Sequence, residues 1–400
     1  MSKKVSRRGF MKYAAAGAVA IGAVAAGGYY LTRPGEMPPT PTTTPTPTAT
    51  TAATSAATTT TTPPEEVEAT LSVFEWTGYE AEEFWAPFKE KYPKVKVEFS
   101  FFADESEALS KLQAGFKPDV VHPCGGSTKR WVDAGVIQPI DIDAIPNFKD
   151  IYPQLNEMAH DDMVIDGKYY MIPWDWGYSS ITYRPDLLDY YHVEKPDSYN
   201  ILWDRRLKGK TSAMDSAIEI FPMAALVAGI PKKEIWSMTD EQLELVRQKL
   251  LELKANVRTF WGDYTEVFQM LATGEVVAAE TWNDVCVMLR HEAKPAEFLD
   301  PKEGRLAWVC GFSIGSGTDE LHYGLAHEYI NAALAPESMV SLIDEFGYGA
   351  SNKEAAPLAD QETVTWLELD KPEKLLDAVF WKYTPNEEKW VRMWTEIKAA

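Results

Sequence analysis

The 400-residue chain is 45% hydrophobic and carries a formal net charge of −21. That excess of acid argues against nucleic acid or an anionic membrane surface as partner and suits either solubility or a cationic ligand. The three cysteines, Cys124, Cys286 and Cys310, lack CxxC or His/Cys spacing, so neither a zinc site nor a disulfide framework is implied; one Cys286–Cys310 bridge is an option in an oxidising exterior.

The chain starts with Ser6-Arg7-Arg8-Gly9-Phe10-Met11-Lys12 ahead of an apolar run from Ala14 to Tyr30, the order of a twin-arginine export signal. The body is therefore expected outside the cytoplasm, in the periplasm or at the cell surface. Residues 1–31 are read as this signal, either cleaved near Ala23-Val24-Ala25 or retained as a membrane anchor. Residues 32–66 are rich in Thr, Pro, Ala and Ser with no large side chain to bury, which predicts a disordered, extended stalk. The stalk favours a membrane-held protein, with the globular body from about Val67 onward large enough for two α/β lobes.

Along the body, Leu71–Trp76 reads as a strand, and Glu80–Lys91 as a helix with Phe84, Phe88 and Tyr92 on one stripe. Val95–Phe102 alternates Val95, Val97, Phe99 and Phe101 as a second strand; Ser106–Gln113 is the next helix and Asp119-Val120-Val121 a third strand. This tempo implies a parallel sheet with right-handed crossovers. Thr239-Asp240-Glu241-Gln242 is a capping box opening a helix that buries Leu243, Val246, Leu250 and Leu253. A helix over Glu266–Leu271 ends near Gly274, and Val276–Thr281 follows as a strand. Pro336 starts a helix, Gly347 ends one, and Thr384-Pro385-Asn386-Glu387 opens the last. No HExxH, P-loop or haem CxxCH pattern supports an enzyme.

Taken in order, "LSVFEWTGY", "KPDVVHPCGGSTKRWVDAGVIQPID", "YYMIPWDWGYSSITY", "TGEVVAAETWND", "PKEG" and "FGYGASNKEA" resemble the extracellular solute-binding proteins of ABC importers, in particular the spermidine/putrescine-binding branch. The resemblance implies an α/β fold: a two-lobed periplasmic binding protein of type II, with hinge strands and a ligand cleft between the lobes. Residues 67–177 with part of 285–318 would make the first lobe, and 178–284 with 319–400 the second. It implies a monomeric receptor that delivers its ligand to ABC permease subunits, with no catalytic residue, metal or cofactor, and membrane contact only through the N-terminal segment.

A polyamine needs acceptors for its ammonium ends and flat apolar walls for its methylenes. The candidate walls are Trp76, Thr77 and Tyr79 beyond the first strand, with Trp176, Trp261 and Trp282; the candidate acids are Asp215, Glu219 and Asp284. Matching the family implies ligand roles for Trp76, Thr77, Tyr79, Glu219, Trp282 and Asp284. The chain departs from the family pattern at Gly78 and Ser216, where acids are expected, and at Cys124, Gly126 and Cys310. The expected ligand is accordingly a small cationic amine, such as spermidine or putrescine. The alternatives are a thiamine-like cation, a sugar, a ferric ion at the Tyr169-Tyr170 and Tyr190-Tyr191 pairs, or a stalk-borne interaction protein without a cleft. Asp175 reads equally as a ligand carboxylate or as a cap on the hinge backbone, His122 as a turn residue, and Trp174, Trp203, Trp308, Trp390 and Trp394 as packing.

Overall fold

The computed structural model describes residues 63–400, so the segments expected to form an export signal and almost all of the expected stalk lie outside the described residues. Among the described residues the strands are β1 (Ala69–Trp76), β2 (Val95–Phe102), β3 (Val120–Val121), β4 (Ile137–Gln138), β5 (Val164–Ile165), β6 (Lys168–Tyr169) and β7 (Ile172–Tyr183). They continue with β8 (Thr211–Met214), β9 (Thr259–Trp261), β10 (Ala278–Trp282), β11 (Glu297–Phe298), β12 (Leu306–Gly315), β13 (Gly349–Ala350) and β14 (Val379–Phe380). All but β5 and β6 join one sheet, along β2-β1-β3-β12-β7-β10-β8-β9 with β4, β11, β13 and β14 attached to β7 or β12.

At one end β1 pairs in parallel with β2 and β3, and at the other β8 pairs in parallel with β9 and β10. The expected parallel sheet is thus present twice, and the long strands β7 and β12 join the halves, antiparallel to each other and to β10 and β3. Leu71 and Val73 of β1 enter one core and Phe74 another, because both faces of the strand are covered. The edge strand β2 behaves differently: Val95 is buried, Val97 and Phe99 are half-buried and Phe101 is exposed.

Two large cores give the two lobes. One gathers Leu71, Val73, Phe88, Trp174, Phe312 and Tyr329; the other gathers Ile181, Phe221, Leu243, Leu250, Trp390 and Trp394. The crossings are β7, whose Ile172–Trp176 end serves the first lobe and whose Ser179–Tyr183 end pairs with β10, and β12, whose Ser313–Ile314 end pairs with β3. A third crossing runs through β14, parallel to the start of β12.

The packing corrects the expected lobe boundaries. Leu325, Tyr329, Ile330, Leu342 and Val364 pack with Leu71 in the first lobe, whereas Val285, Cys286 and Leu289 pack with Trp261 and Leu271 on the second-lobe side. The reason is directional: β12 ends beside β3, so the helix Glu320–Ala333 that follows is delivered to the first lobe. Only from β14 to the C-terminal helix Glu387–Ala399 does the chain return to the second.

Several local signals act as expected. The Thr239–Gln242 capping box is formed in full, and its helix Asp240–Lys254 buries all four predicted apolar residues. The predicted Glu80–Lys91 helix is instead a 3-10 turn at Glu82–Phe84 and a short helix at Ala86–Lys91, because Pro87 suits only a first helical turn.

Candidate functional site

Strand ends from both halves converge on a small cluster. Cys124, the residue before the helix Gly125–Asp133, forms a disulfide with Cys310 of β12, and Trp308 packs beside them. Cys286 is free and buried, so the bridge joins Cys124 rather than Cys286 to Cys310. Cys124 and Cys310 meet because their backbones form an antiparallel bridge, and the β12 register shifts between Cys310 and Gly311. Only glycine fits at 311, since a Cβ there would lie 2.0 Å from the Ile172 carbonyl oxygen.

Four half-buried aromatic side chains surround this disulfide: Trp76 at the end of β1, Trp282 at the end of β10, Tyr348 before β13 and Trp381 after β14. The Trp76 indole N–H donates to the His122 carbonyl at 2.9 Å, and its ring sits 4.5 Å from that of Phe102. The Trp282 indole N–H donates to Glu219 Oε1 at 2.7 Å, and Trp261 stands edge-on to Trp282 at 5.9 Å. The Tyr348 hydroxyl donates to Asp284 Oδ2 at 3.2 Å, joining a first-lobe segment to the first turn of the helix Asn283–His291.

The carboxylates behind these rings are strongly desolvated. Burial pushes Glu219 up to about 7 against the Trp282 bond, and pushes Asp284 up to about 7 against its bonds from Val285 and Tyr348. Glu280 is raised further, first by burial and then by the charge of Glu219. One oxygen of Glu219 and one of Glu280 are buried without a hydrogen-bond partner. No Lys, Arg or His side chain pairs with any of these three acids among the described residues.

On the first-lobe side lies a charged network. His122, fully buried rather than in an open turn, places Nδ1 2.5 Å from Glu75 Oε1 and Nε2 3.0 Å from Asp175 Oδ1. Burial alone would lower the imidazole pKa; the carboxylates of Glu75 and Asp175 outweigh it and hold it up at about 10. The Tyr79 hydroxyl donates to Asp175 Oδ2 at 3.0 Å, so the Asp175 carboxylate serves side chains rather than capping the hinge backbone.

The structure brings Trp76, Trp282, Glu219 and Asp284 together, with Trp261 as backing and Tyr79 alongside. It does not bring in the other three candidates. Thr77 is exposed in the turn; Trp176 is buried in the first core with its N–H on the Ala350 carbonyl; Asp215 is held by Trp394 and Lys398 of the C-terminal helix. Trp308, which reads from sequence as packing, does pack, but against the disulfide. Tyr348 and Glu280 lie within segments that resemble the family without being singled out as site residues, and Trp381 carries no local sequence signal. A separate cavity of about 270 Å3 borders the strand crossings at Tyr178 and Arg305. Its lining sets the cations Lys232, Lys302, Arg305 and Lys374 against the acids Asp300 and Asp377, so it has no unbalanced acid to offer a cationic ligand.

Residues 83–368 match the family described as bacterial extracellular solute-binding protein. The chain belongs to that family. This binding protein is 28% identical over 312 residues to the putrescine-binding periplasmic protein PotF of Escherichia coli, covering 74% of the chain and 81% of that relative. It is 26% identical over 297 residues to a spermidine/putrescine-binding periplasmic protein of Salmonella typhimurium, covering 73% and 80%. Its fold matches the spermidine/putrescine ABC transporter substrate-binding protein PotD of Streptococcus pneumoniae with a TM-score of 0.68 at 22% identity, covering 83% of this chain and 98% of that one. The binding protein is a ligand receptor with the two-lobed α/β fold of its family. Among the described residues no helix is long and apolar enough to cross a membrane, and no group of three or more His, Cys, Asp or Glu is placed to hold a metal ion.

Proposed function

We propose that the protein captures a small organic cation of the amine class outside the cytoplasm, in the cleft between its lobes, and delivers it to an ABC importer. The observation that carries this reading is the set of Glu219, Glu280 and Asp284, desolvated behind aromatic walls with no protein cation to balance them. A bound cation supplies the missing charge, and the rings of Trp76, Trp282, Tyr348 and Trp381 supply faces on which it rests. The printed names of the relatives, which bind putrescine and spermidine, support the same class of ligand. We further propose export by the twin-arginine route and retention on the stalk. Trp76, Tyr79, Glu219, Trp282 and Asp284 are the site residues, with Trp261 as support.

The test is a thermal-shift screen of the full chain against putrescine, spermidine, basic amino acids, sugars and ferric citrate, with Trp282→Ala and Asp284→Ala beside the parent. The expected result is a rise in Tm for organic cations, strongly reduced in both variants relative to their own unliganded Tm. A rise for a sugar or ferric citrate alone overturns the cation reading.

A further inference from the structure

The aromatic enclosure offers an ammonium group few acceptors, because an indole edge carries only an N–H donor. Trp76 spends its N–H on the His122 carbonyl, Trp282 spends its own on Glu219, and Tyr348 spends its hydroxyl on Asp284. The indole N–H groups of Trp308 and Trp381 are buried without a partner, and as donors they cannot accept from an ammonium. The floor between the rings is the Cys124–Cys310 disulfide, whose sulfurs are poor acceptors. What these side chains leave exposed is therefore carbon and π surface. The acids that give the site its negative field stand behind that surface: Glu219 and Glu280 are each 1% exposed and Asp284 is 6% exposed.

This arrangement discriminates between two kinds of cation. A primary ammonium carries three N–H donors, and burying it without acceptors sacrifices hydrogen bonds it made to water. A tetraalkylated nitrogen has no N–H to satisfy; its charge is spread over methyl groups that pack directly on ring faces. Resting on the reading that the cleft takes a cation, we propose that this site selects a quaternary ammonium head group, with Trp76, Trp282, Tyr348 and Trp381 as its aromatic walls, over a primary amine of the same skeleton.

The experiment compares choline with ethanolamine, which differ only by three N-methyl groups, using calorimetric titration of the full chain with putrescine and tetramethylammonium alongside. Choline is expected to bind at least about tenfold more tightly than ethanolamine, as a desolvated cation–π contact allows. Tetramethylammonium is expected to compete with choline, and Trp282→Ala and Trp381→Leu are each expected to weaken choline at least about fivefold while their unliganded melting stays cooperative. Ethanolamine or putrescine binding as tightly as choline overturns the selectivity and leaves the cation receptor standing. Failure of every cation in the panel to bind overturns both.

Discussion

Acidification from about pH 7.5 to about pH 5.5 is expected to weaken cation binding about 25-fold for each proton that binding must expel. Glu219 and Asp284 both sit at about 7 in the unliganded fold because burial disfavours their charge. A bound cation favours the ionised carboxylate, so binding to the protonated form first requires loss of that proton. With a pKa of about 7, the apparent affinity is divided by roughly 30 at pH 5.5 and by roughly 1.3 at pH 7.5, which gives the 25-fold ratio. Glu219 and Glu280 repel each other, so the charge of Glu219 adds to burial in raising Glu280. Calorimetric titration with a cation of fixed charge, in two buffers of different ionisation enthalpy, reads both the affinity and the protons released. Glu219→Gln keeps an acceptor for the Trp282 N–H but removes one titrating group, so its profile is expected to be flatter. The unliganded protein moves the opposite way. A carboxyl raised in the fold binds its proton more tightly than in the unfolded chain, so its contribution to stability is present in acid and is lost as pH rises towards about 7. The Tm of the parent, relative to Glu219→Gln, is therefore expected to fall as the ligand-induced shift grows. An affinity constant within about twofold across this range, or rising in acid, refutes the reasoning.

Gly177, where β7 passes between the lobes, is expected not to tolerate Ala: a Cβ there would lie 2.5 Å from both Trp308 Cζ2 and Asn283 Oδ1. The cost is expected at about 1–3 kcal/mol, read as a lower Tm, with weaker ligand binding because Trp308 backs the disulfide. Unchanged melting of Gly177→Ala would contradict the close approach. The Cys124–Cys310 bridge spans a sequence separation of 186 residues, and the chain-entropy relation gives about 5 kcal/mol for a loop of that size. Denaturant unfolding with and without reductant, repeated on the Cys124→Ser, Cys310→Ser double variant, is expected to show a loss of that order; a loss below about 1 kcal/mol would mean that the bridge does not restrain the unfolded chain.

Which parts of this molecule were legible in the sequence follows from the range over which each signal acts. The capping box at Thr239 and Gln242 and the stops at Gly274 and Gly347 depend on backbone within one turn, and the helix ends fall where those residues predict; both glycines are left-handed. The strand ending at Trp76 and the strand ending at Trp282 were legible from apolar runs, and the order of segments carried the family. Lobe membership was not legible, because it turns on β12 pairing with β3 at one end and with β14 at the other. The disulfide was hidden for the same reason, since it needs β12 to run beside the residue that opens a helix 186 positions earlier.

The binding chemistry itself shows the sharper division between residue type and residue environment. Asp215 and Glu219 are four positions apart and equally acidic in sequence, yet Asp215 is drawn to Lys398 while Glu219 is sealed against Trp282. An acid that answers a lysine is spent; an acid that answers only an indole N–H has no countercharge until a cation arrives. The same holds for the tryptophans. Trp390 and Trp282 are indistinguishable as letters, but Trp390 is fully buried against Phe221, whereas Trp282 is half-buried with its N–H turned inward. A ligand meets the faces that such bonds leave free, so the partners of each polar edge, rather than the count of acids and aromatics, decide which cation the cleft can hold.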